Sequence, residues 1–146
     1  MRVIQTHGSF VFLTGRWAFK VKRAVKYAFF DFSTLEKRRE ALERELRLNR
    51  RLAPEVYLDV LPVVERDGRL AVGRSGAEAV EYILRMAELP EDRFLPALLA
   101  RGEQGAPLLR RAAEAVAGFH LGAERGEGIS RHGGPEAVRR LLLGNL

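Results

Sequence analysis

The chain has 146 residues, 47% of them apolar and 30% charged, a globular rather than disordered composition that suits one domain or a small domain with part of a second. It contains no cysteine, which excludes disulfide frameworks, zinc–thiolate sites and cysteine nucleophiles. The formal charge of +6 is uneven: residues 1–52 carry 13 basic and 5 acidic side chains, and residues 53–146 carry 12 and 14. The first third is therefore expected to attract anions such as nucleotide phosphates, nucleic acid or acidic protein surfaces.

Arg2–His7 opens the chain as a short β-prone segment, His7-Gly8-Ser9 reads as a turn, and Phe10–Leu13 as a second strand. Thr14-Gly15-Arg16 is a second tight turn in which glycine supplies positive φ. Trp17–Val21 follows as a third strand. Alternation puts Ala18, Lys20 and Lys22 on one face and Trp17, Phe19 and Val21 on the other, which predicts a three-stranded antiparallel meander. A basic, aromatic connection over 23–32 ends in Phe29-Phe30-Asp31-Phe32, three phenylalanines expected to wedge under the next helix.

That helix is expected over Thr34–Leu52, with Ser33 as N-cap and Glu36 completing a capping box. Leu35, Leu42, Leu46, Asn49 and Ala53 recur at helical spacing and should face the sheet, and Pro54 marks the stop. Two strands at Val56–Val64 and Arg69–Val72 are joined by an Asp67-Gly68 hairpin turn, and Pro62 points to an edge position or a bulge. Gly73–Gly76 reads as a turn. Ala79–Met86 fits helix or strand, with Val80, Tyr82 and Ile83 favouring strand. Beyond Pro90 the pattern is helical: Asp92–Ala100, a break at Gly102–Gly105, an amphipathic helix over Pro107–His120, a glycine-rich tail over Gly122–Pro135 expected to be partly mobile, and a last helix over Glu136–Leu143 stopped by Gly144. The buried stripe of the Pro107–His120 helix is expected to be Leu109, Ala112, Ala113, Val116 and Phe119 or His120.

Met1–Thr6 has one charge and no long apolar run, unlike a secretory signal. No stretch approaches the roughly 20 apolar residues of a membrane helix. A cytoplasmic protein with no membrane contact is the expectation.

The chemistry-bearing constellation is Ala18-Phe19-Lys20 with Glu45. A lysine on a strand presents a fixed positive charge, and a carboxylate from a packed helix can hold its flexible stem where a phosphate would lie. Glu45 stands beside the Leu42–Leu46–Asn49 stripe, whereas Glu43 points further round the helix. Lys22 shares the strand face and competes with Lys20 for this role, and both lysines also fit an account in which they make only surface ion pairs. The basic run Lys37, Arg38, Arg39, Arg44, Arg47, Arg50 and Arg51 resembles a nucleic-acid stripe, but the i,i+4 pairs Glu40–Arg44 and Glu43–Arg47 compensate it. A solvated, self-paired face is the favoured account. His7 is placed either to touch a phosphate or to serve only the turn. His120 is expected to be packed and hydrogen-bonded, and the three histidines form no metal motif.

Val11-Phe12-Leu13-Thr14-Gly15, Phe19-Lys20-Val21-Lys22, Phe30-Asp31-Phe32-Ser33-Thr34-Leu35-Glu36 and the run from Glu45 to Pro54 together resemble one set of bacterial proteins. These carry an aminoglycoside-phosphotransferase-like domain, often fused to a C-terminal P-loop ATP-binding domain. Glu81–Met86 and Ala117-Gly118-Phe119-His120 extend the likeness. The resemblance implies an α+β fold: a protein-kinase-like N-lobe and hinge over 1–88, then helices over 89–146 that open an incomplete C-lobe. It implies Lys20, Glu45, Glu81 and Met86 as nucleotide-binding residues, with Glu81–Glu88 as the last strand and hinge facing adenine. ATP and Mg2+ are the implied cofactors.

Two features depart from the family pattern. The first turn has no G-x-G-x-x-G loop. The aspartates are Asp31, Asp59, Asp67 and Asp92, none of them in a His-Gly-Asp-like loop, so the catalytic and Mg2+-binding aspartates of similar enzymes have no counterpart here. The expectation is thus the ATP-binding part of a small-molecule phosphotransferase, completed by a catalytic lobe elsewhere and inactive as this chain alone. The alternatives are a non-catalytic interaction module that dimerises or pairs with a partner protein, and, less favoured, a basic nucleic-acid-binding domain.

Overall fold

In the computed structural model, residues 1–73, 78–102 and 105–144 are described. The chain divides into two compact units, Met1–Arg93 and Phe94–Leu146.

The first unit is an antiparallel sheet with one long helix, an α+β arrangement. Its strands are β1 (Arg2–Gln5), β2 (Ser9–Leu13), β3 (Trp17–Lys22), the short pair β4 (Lys26–Tyr27) and β5 (Phe30–Asp31), then β6 (Tyr57–Arg66), β7 (Arg69–Val72) and β8 (Glu81–Ala87). Six of them form one sheet in the order β1-β2-β3-β8-β6-β7, and β4 and β5 pair separately. The expected meander is β1–β2–β3, and Ala79–Met86 resolves as strand β8. Two hairpins follow the turn chemistry of the sequence. Gly15 has φ +88° in the three-residue connection between β2 and β3, and Asp67 and Gly68 have φ +51° and +69° between β6 and β7, the paired positive values of the hairpin turn that matches strand twist.

Pro62 is not on an edge strand, because β6 lies between β8 and β7. The β7 ladder starts only at Val63↔Val72, so Pro62 falls just past its end, where no β7 partner needs its missing N–H. The bulge lies between Tyr57 and Asp59 instead. Of the Gly73–Gly76 turn, residues 74–76 lie outside the described residues.

Helix α1 spans Leu35–Asn49 and packs on β8 and β6. Leu42 on the helix and Leu84 on β8 are fully buried and mark the centre of this layer. Leu35, Leu46 and Asn49 are half-buried along the same stripe. The expected Ser33 cap is corrected. Thr34 is the N-cap and its hydroxyl oxygen accepts from the Lys37 amide at 3.3 Å. The Ser33 hydroxyl is taken by Asp31, to which it donates at 2.6 Å. Pro54 does not set the end of the helix, which closes five residues earlier, at Asn49.

The second unit is helical: α2 (Leu95–Ala100), α3 (Gly105–Leu121), α4 (Glu127–Gly133) and α5 (Pro135–Leu143). The glycine-rich tail over Gly122–Pro135 contains α4, closed by Ile129 and Ser130 amides donating to the Gly126 carbonyl at 3.0 and 2.9 Å. One expectation is corrected. The expected buried stripe of α3 is exposed at Leu109, Ala112, Ala113 and Val116, and only Phe119 is half-buried. Periodicity specifies which face can be buried; burial also needs a surface to pack on. Among the described residues, no helix is long and apolar enough to cross a membrane.

Candidate functional site

Strand alternation turns Ala18, Lys20 and Lys22 toward the sheet face that α1 covers. Their ladder partners share that face: Leu13 and Met86 beside Ala18, Val11 and Leu84 beside Lys20, and Ser9 beside Lys22. Glu45 descends from α1 between the two lysines. Lys20 Nζ donates to its Oε1 at 2.6 Å and Lys22 Nζ donates to its Oε2 at 2.8 Å. Side-chain exposures of 24% for Lys20, 10% for Lys22 and 16% for Glu45 place all three at the margin of the core, not in bulk solvent.

Burial pushes the Glu45 carboxyl up. The hydrogen bonds from Lys20 and Lys22, and their charges, more than offset this and hold it below the usual glutamate range. One carboxylate therefore serves two ammoniums, and the cluster carries a net positive charge in a partly desolvated setting. The ammonium of Lys22 also lies 5.1 Å from the Phe32 ring centroid, a contact that suits a cation.

The β1–β2 turn stands at the end of β3 that carries Lys22. Its backbone is closed by the Thr6 amide donating to the Ser9 carbonyl at 2.9 Å. Arg23 holds it from the next loop: its amide donates to Gly8 O at 2.9 Å and its Nη1 donates to the carbonyls of Thr6 and His7 at 3.2 and 3.1 Å. Gly8 sits against the aromatic pair Phe30 and Phe32, which stack at 4.4 Å; a Cβ at Gly8 would lie 3.0 Å from Phe30 and 3.2 Å from Phe32. Phe30 and Phe32 thus pack on the first turn, while Phe29 is 79% exposed and does not share in the expected wedge.

Of the four residues expected to bind nucleotide, Lys20 and Glu45 meet directly, and Met86 stands half-buried on the same face. Glu81 opens β8 and is engaged elsewhere: Arg38 Nε donates to its two oxygens at 3.1 and 2.8 Å, and the Tyr82 amide donates to Oε1 at 2.9 Å. Two residues past Met86, a cavity of about 510 Å³ opens at the end of β8, lined by Arg2, Leu13, Gly15, Leu89 and the acids Glu88, Glu91 and Asp92, with Pro90. Glu88 Oε2 accepts from the Gly15 amide at 2.7 Å and Glu91 pairs with Arg2, so the β2–β3 turn and the start of β1 are tied to this segment.

Sequence reading missed Lys22 as a partner of the same carboxylate, although its place on the Lys20 face was the signal. It also assigned Arg38 to a solvated basic stripe, whereas Arg38 is buried. Glu43 pairs with Arg39 at 2.9 Å, not with the expected Arg47. His120 is exposed, with its ring 6.0 Å from that of Phe119, contrary to a packed histidine. Among the described residues, no group of three or more His, Asp or Glu side chains is placed to hold a metal ion.

No family model and no solved structure matches the chain. It is 33% identical over 144 residues to the protein named "Uncharacterized protein Rv2004c" of Mycobacterium tuberculosis (strain ATCC 25618 / H37Rv) and equally to "Uncharacterized protein Mb2027c" of Mycobacterium bovis. The match covers 99% of this chain and 27% of each relative, so the chain spans about a quarter of the length of the curated relatives it matches.

Proposed function

We propose that the Met1–Arg93 unit is the nucleotide-binding part of a kinase-like phosphotransferase, with Lys20 meeting the phosphates of ATP. The observation that carries this reading is the 2.6 Å bond from Lys20 on β3 to Glu45 on α1. Kinase-like enzymes use such a strand lysine, held by a helix glutamate, to fix the α- and β-phosphates. A half-buried cluster with one carboxylate and two ammoniums favours an anion, because the added negative charge offsets the net positive one at low local dielectric. The strand order β1-β2-β3-β8-β6 and the braced β1–β2 turn above Lys22 support the same reading, as does the cavity after β8 where the hinge of similar enzymes meets the base.

Lys20 and Lys22 suit a phosphate chain. Mg2+ finds no set of ligands among the described residues, and no metal-assisted step is assigned. Transfer to an acceptor hydroxyl would require groups supplied from outside these residues. Calorimetric titration with Mg-ATP tests the reading: K20A is expected to weaken binding on the order of tenfold or more, and equal affinity for K20A and the wild type would remove Lys20 from the site.

A second reading, an interaction module that self-associates or pairs with a partner protein, is favoured by the apolar exposure of the helical unit. Leu121 is 77% exposed, and Leu141, Leu142 and Leu143 are exposed together at the end of α5. It concerns the Phe94–Leu146 unit and is compatible with nucleotide binding by the other.

A further inference from the structure

Lys22 is bound to Glu45 at 2.8 Å, against 2.6 Å for Lys20, and is the more buried of the two. An ammonium has three N–H donors, and each lysine gives one of them to Glu45. The remaining donors of both are anchored from two ends, by the carboxylate and by strand positions two residues apart, about 6.6 Å along β3. The neighbouring acids are committed to other cations: Glu81 to Arg38, Asp31 to Lys37 and Glu43 to Arg39. Phe32 supplies an aromatic face behind the Lys22 ammonium and no negative charge. Two ammoniums held side by side, with one carboxylate between them, present spare N–H donors at two separate points, so that two phosphate groups can be met at once.

We propose that Lys22 is a second anion-binding residue, and that Lys20 and Lys22, spaced by Glu45, together take two adjacent phosphate groups of a diphosphate-containing ligand. This rests on the phosphate reading of Lys20 and deepens it: the site selects nucleoside di- and triphosphates over monophosphates and orthophosphate. Glu45 acts as the spacer that holds one ammonium on each of its oxygens, and the β1–β2 turn braced on Phe30 and Phe32 stands at the Lys22 end.

The test is calorimetric titration of the full chain with inorganic pyrophosphate, orthophosphate, ADP and AMP, comparing wild type, K22Q and K22R. K22Q is expected to weaken pyrophosphate and ADP on the order of tenfold, to change orthophosphate and AMP much less, and to be largely rescued by K22R. Unchanged pyrophosphate affinity in K22Q overturns the proposal. So does an equal loss for orthophosphate and pyrophosphate, which would mark a general loss of charge or structure, and so does a wild type that ignores pyrophosphate. Should K22Q not fold, lysine-selective NMR of the wild type decides: pyrophosphate shifting the side-chain signals of both Lys20 and Lys22 supports the pair, and a shift at Lys20 alone sinks it. The two failures are distinguishable. ATP binding lost in K20A, with pyrophosphate binding unaffected in K22Q, removes only the role of Lys22. Pyrophosphate binding sensitive to K22Q, with ATP affinity equal in K20A and wild type, removes the phosphate role of Lys20 and with it the paired site, leaving Lys22 alone as an anion-binding residue.

Discussion

Arg38, buried near the start of α1, donates its Nε to both carboxylate oxygens of Glu81 at the start of β8, at 3.1 and 2.8 Å. Its Nη1 donates to the carbonyl of Phe32 at 3.1 Å. One guanidinium thereby ties the helix to the central sheet and to the aromatic connection before it. Removing it leaves a partly buried carboxylate with no countercharge and only the Tyr82 amide as donor, and the Phe32 carbonyl without the Arg38 donor. Arg38→Ala is expected to destabilise the first unit by about 2–3 kcal/mol, read by urea denaturation. Lys should not rescue, because a single ammonium cannot reproduce the planar set of donors that reaches two acceptors at once. A stable R38K would show that charge alone, without the fork geometry, suffices.

Gly8 offers a different handle on the same region. Its φ is not in the left-handed region, so a side chain there meets a packing limit and not a backbone one. A Cβ would approach Phe30 to 3.0 Å and Phe32 to 3.2 Å, contacts tighter than stacked rings can easily relieve. Gly8→Val is expected to push the β4–β5 hairpin off the turn and cost about 1–3 kcal/mol. Phe30→Ala in the same background should recover part of that loss, since it opens the space the new side chain needs. Thermal melts of the two single variants and the double variant measure this coupling, and strict additivity would mean the turn and the hairpin are not in working contact.

The sheet and the lysine–glutamate pair could be read from the sequence because both rest on short-range periodicity. Alternation set Ala18, Lys20 and Lys22 on one face, and helical spacing set Glu45 beside Leu42 and Leu46. Arg38 escaped because it lies in a run of three cations, and only its position four residues before Leu42 marks it as inward. Ser33 and Thr34 are both good caps, and the choice between them was made by Asp31, which took the Ser33 hydroxyl. The packing of Gly8 on Phe30 joins residues 22 apart in sequence and leaves no local signal. The α3 stripe was legible as a pattern, but what covers a face is not written in that face.

That uncovered apolar surface has a consequence for association. Leu109 and Val116 on α3 and Leu141 to Leu143 on α5 are exposed, more apolar surface than scattered single residues account for. Light scattering across a concentration series is expected to show mass rising with concentration. Replacing Leu141 and Leu142 by glutamine together should lower that tendency without altering the helical circular dichroism, because neither residue is buried. A strict monomer at high concentration would assign these faces to a different partner or to none.

The Glu45 cluster predicts a defined pH dependence. Burial raises the Glu45 carboxyl, the bonds from Lys20 and Lys22 lower it further than that, and the net direction is down from the ordinary value of 4.5. A carboxyl depressed in the folded state contributes stability that is fully present above its unfolded pKa and is lost as pH falls through its folded pKa. Glu45→Gln removes the charge at every pH. The stability difference between wild type and E45Q is therefore expected to be flat from neutral pH down to about 5, at roughly 1–3 kcal/mol, and to shrink below about 4.5. Asp31 and Glu91, also held low by their partners Lys37 and Arg2, titrate in the same acid range but do so in both proteins and cancel in the difference. Urea denaturation at closely spaced pH values reads it. A difference that began to fall between pH 6 and 7 would mean that burial, not the two lysines, governs the Glu45 carboxyl.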